Sequence, residues 1–210
     1  MPNIITFKGD IRLGIKKNVR YPINRIIKQK TYMFLKGKLV NYRSLEAGDS
    51  ESFVRWCSNR NAVRYSLSWF QTPKSNQDFK DWLVSINGSA SNISLGICCF
   101  ETKKLIGYAG IADISLLNKS GEYFIFIGDS EYWGRGIGTE VTKTITDYGF
   151  NTLGLHRIFL TVSDLNQYAV KAYENAGYVK EGVLRDAAFR DGKFHNKIVM
   201  SVLSTEWTTV

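Results

Sequence analysis

Cysteine, histidine and long apolar runs are scarce in this chain, and acidic residues are almost missing from its N-terminal segment. The three cysteines are an odd number, and two of them, Cys98 and Cys99, are adjacent. That pattern offers neither a disulfide framework nor metal-ligand spacing, so free thiols in a reducing cytoplasm and no bound metal are expected. There are two histidines, His156 and His195. No apolar run approaches the ~20 residues that span a bilayer. The opening MPNIITFKGDIRLGIKK has no apolar stretch of signal-peptide length. Residues 1–43 hold eleven Lys or Arg and one acid, Asp10. The net charge of +9 therefore belongs to that segment, and the other 167 residues carry a net charge of −1.

What is present describes a soluble globular protein. A chain of 210 residues with 44% hydrophobic and 22% charged content can bury a core, and one domain is expected. Apolar and polar residues alternate over 39–45, as in a strand. Two helical stretches follow, one after Gly48-Asp49-Ser50 and one after Thr72-Pro73, with Ser75 as N-cap and Gly88 as stop. Strands are predicted over 93–101, 104–115 and 122–129. The run Phe124–Ile127 is too apolar for a sheet face open to water, which predicts a central position. A helix over 138–150, a strand over 156–163 and a helix over 165–176 come next, with Gly177 at the C′ position. Two last strands, roughly 178–190 and 193–204, flank Arg190-Asp191-Gly192-Lys193, where Asp-Gly signals a hairpin. The pattern is mixed α/β, with seven strands and four helices.

Residues 1–37 read as a basic extension of a domain over 38–210. Its segments IITF, IRLGI and TYMFL are apolar enough to predict one or two strands, packed on the domain or on a second subunit. Its charges suit RNA, a ribosome or another polyanion. Monomer and homodimer both remain open, and no membrane association is expected.

The stretch EYWGRGIGTE (131–140) stands out for its three glycines, Gly134, Gly136 and Gly138, ahead of a predicted helix. A helix start leaves four backbone N–H groups without partners, and its dipole favours an anion. Glycine lets a phosphate reach those amides, and Arg135 adds charge. A Walker A loop is excluded, because no Gly-Lys-Ser/Thr follows. A dinucleotide fingerprint fits poorly: the spacing is Gly-x-Gly-x-Gly, although Asp164 ends the next strand. A third reading, which a family resemblance supports, is the pyrophosphate of coenzyme A.

Residues 39–207 resemble the GNAT superfamily of acetyltransferases, and within it the branch of the ribosomal-protein N-terminal-alanine acetyltransferases. The resemblance rests on LVNYRSLEAGD, on EYFIFIGDSEYWGRGIGTEVTK and on the run from GLHRIFLTVSDLNQYAVKAYENAGY to NKIVMSVLSTEW. Trp133 stands where the superfamily commonly has Arg or Gln, and Asn196 where relatives often have Asp. The resemblance implies a GNAT fold: a mixed, mostly antiparallel sheet flanked by helices and splayed at the acetyl-CoA strand. It implies acetyl transfer from acetyl-CoA to a primary amine, either a protein N-terminus or a small molecule such as an amino-sugar nucleotide. A non-catalytic module holding acetyl-CoA or RNA is the reading from another class.

Site residues follow from the same resemblance. The backbone near Ile127 and Gly128 would meet the thioester and pantetheine, beside Asn166, which also reads as a helix N-cap. The loop Trp133, Gly134, Arg135, Gly136, Ile137, Gly138 and Thr139 would hold the pyrophosphate. Tyr173 would protonate the departing thiolate, and Glu122 would take the amine's proton. The acceptor wall would come from 48–88 and the loop Leu116–Gly121, offering Arg55, Arg60, Arg64, Trp69, Phe70 and Lys74. Few acids stand among them, which argues against a polyamine. His195 is a further candidate for the acceptor cleft, whereas His156 reads as packing.

Overall fold

The computed structural model describes residues 32–208. In chain order they form β1 (Leu35–Lys36), β2 (Val40–Ser44), α1 (Ser50–Cys57), α2 (Arg60–Val63), α3 (Asn76–Asn87), β3 (Ile93–Cys99), β4 (Leu105–Ser115) and β5 (Ser120–Ile127). Then come α4 (Ile137–Asn151), β6 (Arg157–Ser163), α5 (Gln167–Asn175), β7 (Val179–Arg190) and β8 (Lys193–Leu203). The strands make one sheet in the order β1-β2-β3-β4-β5-β6-β8-β7. Every pairing is antiparallel except β5 with β6.

Local chemistry explains the boundaries. At the start of α3 the Asp78 amide donates to Ser75 Oγ (3.1 Å) and the Ser75 amide to Asp78 Oδ2 (2.7 Å), a reciprocal cap. Gly177 follows α5 at φ +98°, a conformation that needs glycine. Asp191 and Gly192 both have positive φ (52° and 77°), as a tight two-residue hairpin turn requires.

Side-chain alternation sorts the core onto the two sheet faces. In β5, Tyr123 and Ile125 face α4 and α5, whereas Phe124 and Phe126 face the packing of α1 and α3. The first face gathers Val40, Ile97, Ile111, Val141, Ile145, Ile158 and Met200. The second is aromatic: Phe53 lies 5.0 Å from Trp56, 5.2 Å from Trp82 and 5.4 Å from Tyr108, ring centre to ring centre. Phe53 is fully buried. Phe53→Ala is therefore expected to destabilise the protein by about 3–5 kcal/mol in urea unfolding. A loss below about 1 kcal/mol would show that this aromatic layer does not carry the packing described.

The central position expected of Phe124–Ile127 is where β5 lies, between β4 and β6. An eighth strand and a fifth helix, β1 and α2, add to the sequence-based count. Two residues and four residues are too short to show a period. The end of TYMFL supplies β1, whereas IITF and IRLGI lie outside the described residues. The strand expected over 122–129 stops at Ile127, because Asp129 caps a short 3-10 turn over Ser130–Tyr132 by accepting from the Glu131 amide (3.2 Å).

One feature of the sheet positions the site. β5 pairs with β6 only from Ser120↔Arg157 to Glu122↔Phe159. Beyond that, β5 stays with β4 as far as Ile127, and β6 stays with β8 as far as Ser163. The two central strands therefore part after Glu122.

Candidate active site

The parting of β5 and β6 opens a cleft of about 260 Å³. One wall is β5 from Glu122 to Phe126, the other is Thr161–Ser163 of β6. Asn166 and Tyr173 of the α5 segment line it too. Residues 64–68, Phe70 and the β7–β8 hairpin, through Ala188, Arg190 and Lys197, complete the lining.

Glu122 sits where the strands separate. Thr161 Oγ1 donates to its Oε1 at 3.5 Å, a long contact. Burial raises the Glu122 carboxyl above its ordinary value, and Asp113 adds to this; Lys197 and Thr161 pull the other way. A carboxylate so placed holds a proton more readily than a solvated one.

Three tyrosines pack together beside the cleft, with ring centres 6.1–6.2 Å apart. Tyr123 Oη shares a hydrogen bond with Thr142 (3.1 Å) and Tyr178 Oη with Thr146 (2.8 Å). Tyr173 lines the cleft, and its hydroxyl has no partner among the described residues. Burial raises its phenol well above the ordinary value, so it stays protonated throughout the physiological range.

Asn166 caps α5, accepting from the Ala169 amide at 3.3 Å. The cap and a place in the cleft coexist.

The glycine loop lies at the start of α4. Gly136 is the N-cap residue at φ +78°, and Gly134 has φ +72°. Both need glycine for their conformation. A Cβ on Gly134 or Gly138 would meet nothing within 4 Å, so the ground above them is open. Among the described residues no acceptor takes the amides of residues 134–139. Arg135 lies over the Tyr132 ring at 5.3 Å and makes no ion pair there. The loop is held from below: Asp129 pairs with Lys104 (2.7 Å), and the Trp133 indole donates to the Ile127 carbonyl (2.8 Å).

Glycine at 128 has a packing cause. A Cβ there would stand 2.2 Å from the Trp56 indole. The Gly128 amide has no acceptor among the described residues. The Asp129 amide instead donates to the Ile106 carbonyl (3.1 Å), out of step with the register that pairs Gly107 with Ile127.

Of the expected acceptor wall, Arg64 and Phe70 line the cleft; Arg55, Arg60, Trp69, Lys74 and the loop Leu116–Gly121 do not. Phe70 is also core, 2% exposed. Trp69 stacks on Trp82 at 5.7 Å, with the Lys74 ammonium 4.9 Å from its centre. His195 pairs with Ala188 across the hairpin and does not line the cleft, and His156 Nδ1 bonds Ser204 Oγ (2.9 Å). Asn196 Oδ1 accepts from the Asp186 amide (3.1 Å), a role that needs no charge. Arg190 and Lys197 were missed: they reach the site through a hairpin more than a hundred residues from 64–68. Among the described residues no cluster of His, Cys, Asp or Glu could hold a metal ion, and no helix is long and apolar enough to cross a membrane.

An open-amide helix start beside a split central sheet is the frame of an acyl-CoA transferase, and comparison with known proteins agrees. The profile of the Acetyltransferase (GNAT) domain matches residues 40–179. The chain belongs to the GNAT acetyltransferases; it is an N-acetyltransferase, with acetyl-CoA as co-substrate. It is 30% identical to a spermidine N(1)-acetyltransferase of Vibrio cholerae, over 79% of this chain and 93% of that protein. It is 27% identical to the spermidine N(1)-acetyltransferase of Escherichia coli K12, over 80% and 88%. A crystal structure of the Vibrio cholerae spermidine N-acetyltransferase with CoA and spermine superposes with a TM-score of 0.73 at 28% identity, covering 81% of this chain and 98% of that one.

Proposed function

We propose that the protein acetylates a small primary amine in the cleft between β5 and β6, with Glu122 as general base and Tyr173 as general acid. The observation that carries this is the pairing of the two groups in one cleft, a carboxyl of raised basicity and a buried phenol without a partner. The relatives favour a small amine over the protein N-terminus that the ribosomal-protein branch implies.

Acetyl-CoA would supply the acetyl group, its thioester bond giving way to an amide as coenzyme A departs as the thiol. The amides of Gly134 to Thr139 would receive its pyrophosphate, Arg135 adding charge, while Asn166 and the backbone at Ile127 and Gly128 would meet the pantetheine and thioester. Trp133 fixes the loop by its bond to Ile127. Glu122 accepts the proton of an amine whose pKa reaches ~10.4 for a lysine-like group. Tyr173 donates to the departing sulfur. A free thiol titrates near ~8.5, below a phenol. Desolvation that raises the phenol would raise the thiol of the leaving coenzyme in the same direction.

The base predicts a pH profile. Glu122 works only when ionised, so kcat rises with pH through its raised pKa and then levels. Glu122→Gln is expected to lower kcat by roughly 10²-fold and to remove that acid limb. A variant that keeps the wild-type kcat and the same limb would take the base role from Glu122.

A further inference from the structure

The relatives are named for spermidine, a polycation, yet the cleft of this chain is itself cationic. Its lining holds Arg64, Arg190 and Lys197 against a single carboxylate, Glu122. The arginines are anchored rather than neutralised by acids inside the cleft. Arg190 is half-buried, and it donates to the carbonyls of Arg64 (3.2 Å), Ser66 (3.3 Å) and Phe189 (2.7 Å), which leaves its charge unbalanced. Arg64 meets Asp191 at 3.1 Å, but that pair is exposed to water and worth little. Half-buried Lys197 makes no ion pair among the described residues. None of residues 134–139 lines this cleft, so these three cations are separate from the amides proposed to receive the coenzyme's pyrophosphate.

Their placement sets a direction. Lys197 is level with Ser163 on β6, two residues beyond Thr161, whose hydroxyl reaches Glu122. Two residues of strand separate those backbone positions by roughly 7 Å. An acceptor whose amine lies at Glu122 would extend along the cleft toward these cations. A trication entering the cleft would meet like charges, with no second carboxylate in the lining to receive it; Asp113 acts on Glu122 from outside the lining.

We infer that the acceptor is a primary amine carrying a phosphate or carboxylate several bonds from the nitrogen, held by Arg64, Arg190 and Lys197. The inference rests on the small-amine acetyltransferase reading above. An α-amino acid is too short, because one carbon separates its amine from its carboxylate. Amino-sugar phosphates and ω-amino acids have the required reach.

Two matched pairs test this, glucosamine 6-phosphate against glucosamine and 6-aminohexanoate against hexylamine, with spermidine as the cationic arm. The anionic member of at least one pair is expected to exceed its neutral partner by about 10-fold or more in kcat/KM. The preferred pair identifies the anion as phosphate or carboxylate. The advantage is expected to shrink as salt rises. Lys197→Glu is expected to lower the anionic-to-neutral ratio by about 10-fold or more, and Lys197→Met, closer in shape, to lower it less. Both variants are checked for an unchanged Tm. Spermidine as the best acceptor, or no advantage for either anion, overturns the inference and leaves the acetyltransferase reading standing. No turnover with any amine, while acetyl-CoA still raises the Tm, overturns both.

Discussion

Tyr173→Phe is expected to lower kcat by roughly 10²-fold while acetyl-CoA binding is nearly kept. The change removes one hydroxyl and little volume. The ring, 9% exposed, packs beside Tyr123 and Tyr178, and phenylalanine keeps that packing. No hydrogen bond of the Tyr173 hydroxyl to another described residue is lost, so stability has little reason to change. The effect should therefore appear in kcat and not in Tm. Stopped-flow thiol release with the best acceptor reads it. Wild-type kcat in the variant would return Tyr173 to a packing role.

Gly136→Val is expected to abolish the heat stabilisation that acetyl-CoA confers. A ligand that binds only the folded state raises Tm, by about 2.7 kcal/mol of added stability at 100 times its Kd. Gly136 holds φ +78° as the N-cap of α4. A β-branched residue is a strong outlier there, so the first turn of α4 must shift and the open amides turn from the phosphate. The loop is exposed, which limits the damage to the fold itself. Thermal scans with and without acetyl-CoA separate the two effects. A variant with an undiminished ligand shift would show that the pyrophosphate binds elsewhere.

Much of this fold is legible in the sequence because its signals are local. The helix after Ser75, the glycine stop at Gly177 and the hairpin turn at Asp191-Gly192 each depend on residues within four positions of one another, and all three stand where expected. The central place of Phe124–Ile127 follows from an apolar run that no half-wet strand would carry. The glycine loop was readable for the same reason: positive φ and open ground above an amide demand glycine.

The acceptor mouth is different. Arg190 reaches the carbonyls of Arg64 and Ser66 across a separation of 126 and 124 residues. No periodicity links positions so far apart. Arg55, Arg60 and Lys74 carry the same charge as Arg64, and only the turn of the chain after α2 decides which one meets the cleft. In β7 the register slips twice, between Lys180 and Gly182 and between Leu184 and Ala188, with Asp186 at φ 51°. These slips aim the hairpin at the cleft, and non-glycine residues at positive φ leave a faint trace in sequence. Gly128 carries the opposite lesson. A phosphate- or thioester-facing backbone and a packed indole both call for glycine, and only the folded chain brings Trp56 against it.

Acetyl transfer to a small amine through Glu122 and Tyr173 fixes a stoichiometry that can be counted. The protein is mixed with limiting acetyl-CoA and an excess of either small amines or a peptide with a free N-terminus. Thiol release and acetylated amine are then counted by mass. One acetylated small amine is expected for each thiol released, both lost in parallel in Glu122→Gln and Tyr173→Phe. Thiol release without an acetylated small amine, or acetylation confined to the peptide, would contradict it.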